Sequence, residues 1–200
     1  VAMGEVSDHQ PRAAAIFSLE MPREALVKRM LCSRANLASD RLRKGMLSGD
    51  MHQRLVQAAS DLQKAQILVD DSAGLEVVEL RARARRLKKQ YDIQLIVVDY
   101  LQMLNFSQKS NEGRQRETAA ISSSLKAMAK ELRIPIIVLS QLSRAPETRD
   151  KTAVPKLSDL RDSGSIEQDA DVVMLLRRPC KYPQDPEAGD KALAIVDVAK

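Results

Sequence analysis

Gln94-Leu95-Ile96-Val97-Val98, running into Asp99, is the stretch from which the rest of the chain is read. Its near-continuous apolar character, in place of strict alternation, is that of a strand covered on both faces. Similar short runs lie at residues 13–19, 67–69, 135–140, 172–176 and 193–198. Between them run longer amphipathic segments at residues 22–35, 49–65, 75–91 and 112–132. The first opens with Pro22 at the first helical position and places Ala25, Leu26, Met30 and Leu31 on one face. Strands alternating with helices of this kind predict an α/β fold, a mostly parallel sheet flanked by helices.

Composition bounds the function classes. The 200 residues are 44% hydrophobic, 30% charged and 2% aromatic. A chain of this size is about one domain and buries about 70% of its unfolded surface, so folding needs neither disulfide nor metal. Cys32 and Cys180 are too few and too far apart for a disulfide framework or a zinc cluster, and isolated thiols fit a reducing cytosol. The longest apolar runs, such as residues 95–98 and 134–139, fall far short of the ~20 residues a bilayer requires. The expectation is therefore a protein with no membrane partner. A net charge of +5 allows a polyanion. With so few aromatics, nucleic acid would be held through phosphates and backbone amides more than by stacking on bases. The run Arg81, Arg83, Arg85, Arg86, Lys88, Lys89 suggests a nucleic-acid tract. It shares a helix with the apolar stripe Leu80, Ala84 and Leu87, so it reads as a solvated outer face. Residues 105–111, 144–156 and 179–190 lack periodicity and read as mobile loops.

In an open parallel sheet the ligand site lies beyond the carboxyl ends of the strands, so polar residues just after apolar runs are the candidates. They are Glu20, Asp70, Asp99 and Gln141. Asp99 sits where an acid holds the water shell of a nucleotide-bound Mg²⁺, though an acid there also serves as a turn or cap residue. Glu20 is placed to polarise a water attacking a γ-phosphate, and Gln141 to hydrogen-bond that phosphate or the water. Asp70-Asp71 reads as turn geometry ahead of Gly74. Three complementary strand tips on one sheet edge point to nucleoside triphosphate hydrolysis.

Four stretches carry a family resemblance: Phe17-Ser18-Leu19-Glu20-Met21, Val97-Val98-Asp99-Tyr100-Leu101-Gln102, Leu139-Ser140-Gln141-Leu142-Ser143-Arg144, and the long LSDLRDSGSIEQDAD run from Leu157 to Asp171. In this order they resemble the motifs of the replicative DnaB-type DNA helicases, from about Ala13 to Lys200. The resemblance implies a RecA-like P-loop NTPase core, with ATP and Mg²⁺ as cofactors. It implies single-stranded DNA as substrate, a homo-hexameric ring, primase and helicase-loader partners, and a cytoplasmic place at the replication fork. By motif, Glu20 matches the water-activating glutamate, Asp99 the Walker B aspartate and Gln141 the γ-phosphate sensor. Arg29 matches an arginine near the nucleotide, or is a surface arginine. Arg161, Asp162 and Gly164 match pore-loop positions that grip the DNA backbone. There Arg161 supplies charge, Gly164 admits a close approach of backbone amides, and Asp162 contributes through its backbone.

The family's Gly-Lys-Thr/Ser phosphate loop has no counterpart in these residues, and family order places it upstream of Val1. Lys200 matches the start of a Lys-Gln-Arg-Asn-Gly run whose arginine acts across a subunit interface near the nucleotide. The 200 residues thus read as one motor domain without its phosphate loop and arginine-finger segment, and the chain alone is expected to hydrolyse ATP poorly. Two other readings stay open, a RecA/RadA-type recombinase and a non-catalytic interaction module on a degenerate RecA-like fold.

Overall fold

A computed structural model describes residues 12–106, 113–143, 154–182, 184–185 and 187–200, without the side chains of residues 114 and 161–163. The chain divides into two compact units, one drawn from Val1–Asn105 and Met128–Leu139, the other from Phe106–Ala127 and Ser140–Lys200.

The first unit is built on four strands, β1 (Ala14–Ser18), β2 (Ile67–Asp70), β3 (Leu95–Asp99) and β4 (Ile136–Val138). All pair in parallel, in the order β2-β1-β3-β4. Central β1 is the most buried of the four. Phe17, Leu80, Ala84, Ile93, Ile96 and Val98 are wholly buried, and each large apolar side chain among them contributes ~1.5–3 kcal/mol.

Of the helices α1 (Arg23–Arg34), α2 (Ser39–Arg43), α3 (Gly49–Lys64), α4 (Val77–Tyr91) and α5 (Arg114–Leu132), all but α2 follow the sequence pattern closely, and the residues of α5 from Met128 onward belong to the first unit. Pro22 is the residue before α1 instead of its first residue. The short α2 was not legible, because five residues show no period. Ser48 Oγ caps α3 by accepting from Met51 N–H at 3.4 Å. Non-glycine residues in the left-handed region follow three helices, Asn36 (φ 50) beyond α1, Asp92 (φ 46) at the end of α4 and Arg133 (φ 53) at the end of α5. The Asp92 N–H donates to the Lys88 carbonyl at 3.0 Å, and Ile134 N–H to the Ala129 carbonyl at 3.3 Å, closing the ends of α4 and α5.

The basic run on α4 is largely neutralised within the unit. Arg81 and Arg85 both reach Glu131, Arg83 joins Asp70 and Glu79, and Lys88 pairs with Asp92. Two guanidinium partners hold the Glu131 carboxyl down at about 2. This agrees with the outer-face reading.

In the second unit a 3-10 segment (Leu157–Ser163) leads into α6 (Gly164–Asp169). Strands β5 (Met174–Arg177) and β6 (Ile195–Val198) then form a separate antiparallel pair, so the parallel expectation holds for the first four strands only. Leu160, Val173 and Leu175 form a small core with Leu142, Leu157, Ala170 and Ala199 packed on it. Cover on both faces fails here. Met174 pairs with Val198 and Leu176 with Val196, which sets four apolar side chains on one face, each more than half exposed, with Val172 beside them. On β4 in the first unit, Ile137 is likewise 43% exposed.

The expected loop at residues 179–190 is tied down. Asp185 is buried and ion-pairs with Arg177, whose guanidinium also lies 3.2 Å from Glu187. Pro179–Lys181 within it is a 3-10 turn. Of the other expected loops, residues 107–111 and 144–153 lie outside the described residues. No described helix is long and apolar enough to cross a membrane.

Candidate functional site

Parallel pairing brings the carboxyl ends of β1 and β3 side by side. Ser18 is in register with Asp99, and Leu19 N–H donates to the Asp99 carbonyl at 2.7 Å. The ladder stops there because the chain turns. Buried Ser18 donates its hydroxyl to the Met21 carbonyl at 2.8 Å, which fixes the turn and sets Glu20 at its outer corner. Glu20 is exposed, Asp99 is half-buried, and neither side chain has a hydrogen-bond or ion-pair partner among the described residues. Two free carboxylates on neighbouring strand tips suit a reaction that needs one to orient water and one to face a cation. The peptide after Asp99 is cis, and Leu101 N–H then donates to the Leu139 carbonyl at 2.9 Å, while Leu139 N–H donates to the Val98 carbonyl at 2.9 Å. The end of β4 is thereby joined to the same edge.

Helix α1 leaves from this turn. Its start is capped from outside its own segment, because Arg23 N–H donates to Asp71 Oδ2 at 3.0 Å and the Arg23 guanidinium lies 3.4 Å from the same carboxylate. That backbone N–H and then the guanidinium hold the Asp71 carboxyl below its usual range. Asp70 accepts from Ser72 N–H at 3.1 Å, the turn expected from sequence, and also binds Arg83. Burial pushes the Asp70 carboxyl up, but the hydrogen bonds from Arg83 and Ser72 outweigh it and leave it lowered. The capping role of Asp71 has no local signal, since its partner lies 48 residues away. Arg29 is exposed on α1 with no partner among the described residues.

Gln141, Arg161, Asp162, Gly164 and Lys200 belong to the second unit. Gln141 is exposed, two residues beyond Leu139. Arg161 and Asp162 lie in the 3-10 segment, and Gly164 opens α6, exposed, with φ −52 and open space around its Cβ position. The lysine at 200 donates its ammonium to the Glu167 carbonyl at 2.7 Å and accepts at its own carbonyl from Val173 N–H at 3.0 Å. Buried Asp159 organises this unit, a role the sequence did not flag. Its carboxylate accepts from Lys156 N–H at 2.7 Å and its carbonyl from Ser143 N–H at 3.1 Å, linking the segment after Gln141 to the Leu157–Asp171 run. Lys126 on α5 reaches Asp171 at 2.5 Å at the far end of that run.

Among the described residues no three metal-ligating side chains cluster. A lone, half-buried and unpartnered Asp99 fits a divalent cation held through its water shell and a nucleotide, the way Mg²⁺ is usually bound.

A family model described as the DnaB-like helicase C terminal domain matches residues 1–200. "Replicative DNA helicase DnaB" of Geobacillus stearothermophilus is 46% identical over 186 residues, covering 93% of this chain and 40% of that protein. "Replicative DNA helicase DnaC" of Bacillus subtilis is 43% identical over 195 residues, covering 98% and 42%. The chain thus spans about two fifths of the length of these curated relatives. Among solved structures, one described as an ATPase domain superposes with a TM-score of 0.84 at 34% identity, over 94% of this chain and 66% of that one. A DnaB-like replicative helicase, described with its interactions with primase, gives 0.85 at 32% identity over 100% and 48%.

Proposed function

Because the chain belongs to the DnaB-like helicase C-terminal domain family, we propose that it is the ATP-hydrolysing, RecA-like motor part of a replicative DNA helicase, moving along single-stranded DNA to unwind duplex. The observation that carries this reading is the adjacent, unpartnered pair Glu20 and Asp99 at the β1 and β3 ends.

In this reading each residue has a task. Glu20 orients and polarises the attacking water, and Asp99 holds hydration water of the nucleotide's cation. Mg²⁺, when bound, supplies neutralisation of phosphate charge. Gln141 reads the γ-phosphate, Arg29 lies near the nucleotide, and Lys200 opens the segment that contributes across the neighbouring subunit. Arg161, Asp162 and Gly164 hold the DNA backbone, Arg161 by charge and the other two by main-chain amides. Such binding is independent of base sequence and strongly salt-dependent. A homo-hexameric ring, primase and helicase-loader partners, and work at a cytoplasmic replication fork belong to the same proposal.

The test is Glu20→Gln in the full-length protein that contains this chain. ATP binding is retained and hydrolysis falls by ~10²–10⁴, the usual contribution of a positioned base. Hydrolysis within twofold of the parent rate would remove Glu20 from the chemistry and leave an interaction module as the better reading.

A further inference from the structure

The edge of the first unit's sheet away from Glu20 and Asp99 has a charge pattern that the motor chemistry does not use. Because all four strands are parallel, their starts share one edge. They are fastened side by side there by Ala14 N–H to the Gln66 carbonyl at 2.9 Å, Gln94 N–H to the Ala13 carbonyl at 2.8 Å, and Ile96 N–H to the Pro135 carbonyl at 3.2 Å. The segments entering this edge bring Lys64 from the end of α3, Arg12 ahead of β1, Lys89 from the last turn of α4, and Lys130 with Arg133 from the end of α5. All five are exposed, and none has an ion-pair partner among the described residues. Among the described residues the acids nearest in sequence are mostly committed elsewhere, Asp61 to Arg34 with a weaker pull from Lys64, Asp92 to Lys88, and Glu131 to Arg81 and Arg85.

Helix dipoles account for part of this pattern, since cations are favoured in last turns. Three helix ends supply only about −1.5 charge in total, against five exposed cations, and Arg12 stands before a strand, where no dipole asks for it. The described residues at this edge therefore carry an excess of positive charge across three strand spacings, about 14 Å. An aromatic residue ends the helix that leads into this edge. Tyr91, at the end of α4, is 45% exposed, with Gln90 donating to its hydroxyl at 3.1 Å. An exposed ring at the same end of the sheet as exposed cations can hold a single strand, phosphates on the charges and a base on the ring.

We propose that the amino-terminal edge of the four-stranded sheet, with Arg12, Lys64, Lys89, Lys130 and Arg133 around Tyr91, is a second single-stranded nucleic-acid contact surface, separate from the Arg161 loop. A strand lying along it neutralises about three phosphates, giving a log K against log salt slope of about −2 from this surface.

The test measures binding of labelled oligo-dT by fluorescence anisotropy across salt, using the full-length protein that contains this chain in an Arg161→Gln background, so that the charge of the loop assigned above does not contribute. Neutralising all five cations to Gln weakens binding at least tenfold and flattens the slope by about 2, with the helical circular dichroism signal retained. Tyr91→Ala weakens oligo-dT about fivefold or more and leaves a duplex probe unaffected. An unchanged affinity and slope in the five-fold variant overturns the proposal. So does equal weakening for heparin with no effect of Tyr91→Ala, which marks a general polyanion surface. Loss of binding to anionic vesicles alone assigns the edge to a membrane and overturns it as well.

Discussion

Gly164→Ala separates what the fold needs from what the ligand needs. Gly164 has φ −52 and ψ −27, ordinary right-handed helical geometry open to any residue. An added Cβ meets nothing within 4 Å, and the residue is exposed. Neither backbone nor packing therefore calls for glycine. Replacing glycine by alanine at such a site stabilises by ~0.4–1 kcal/mol, mostly by narrowing the unfolded ensemble. For a chain of this size that is a rise in Tm of about 1–4 °C. Binding moves the other way if main-chain amides here meet phosphate, because the methyl group stands where the backbone must approach. Losing one charge-assisted hydrogen bond costs ~1.5–3 kcal/mol, a 10- to 100-fold weaker Kd. Paired measurements decide the matter, a circular dichroism melt and anisotropy of labelled oligo-dT on the same preparation. A higher Tm with unchanged Kd would refute the assignment of this loop to DNA. A Tm lowered by several degrees would refute the structural account of Gly164 itself.

Glu131, held at about 2 by Arg85 and Arg81 against an ordinary value near 4.5, gives stability that is complete above pH ~4.5 and is lost as pH falls toward 2. In Glu131→Gln the unfolding midpoint consequently drops less between pH 6 and pH 3 than in the parent, and the difference shrinks in high salt; equal acid limbs would refute the linkage. Leu80→Ala, at a wholly buried α4 position, lowers the urea-derived stability by ~2–5 kcal/mol, and a loss under 1 would be inconsistent with the packing described. Asp185→Asn leaves the mostly buried Arg177 with Glu187 as its near partner and costs about 3 kcal/mol, while Arg177→Met combined with Asp185→Leu recovers most of that by denaturant melting.

The strands and long helices were legible because each is a local pattern: a short apolar run, a helical stripe, a cap. Glu20 and Asp99 were legible for the same reason, since an acid immediately after an apolar strand can only lie at its tip. What escaped depends on distant partners. An apolar run does not say which strand it joins, so β5 and β6 read like the others, although they pair antiparallel with each other. Asp71 caps α1 from the far side of α2 and α3, and Glu131 absorbs two arginines of α4 from 46 and 50 residues away. Buried Asp159 and Asp185 looked like loop acids because burial is decided by tertiary packing. The basic run therefore overstated the charge open to a ligand, and the scattered Arg12, Lys64 and Lys130 understated it.

The β5–β6 pair also governs how the chain behaves as a solution of molecules. Two four-residue strands whose outer face shows Met174, Leu176, Val196 and Val198 offer a neighbouring molecule both a greasy plane and backbone edges on which to build. Colloidal stability should accordingly fall with concentration and with added sulfate, while light scattering rises before any loss of helix signal. One charge on that plane, Leu176→Lys, is the economical remedy: it leaves the buried Val173–Leu175 side untouched and breaks the pattern that would let copies stack.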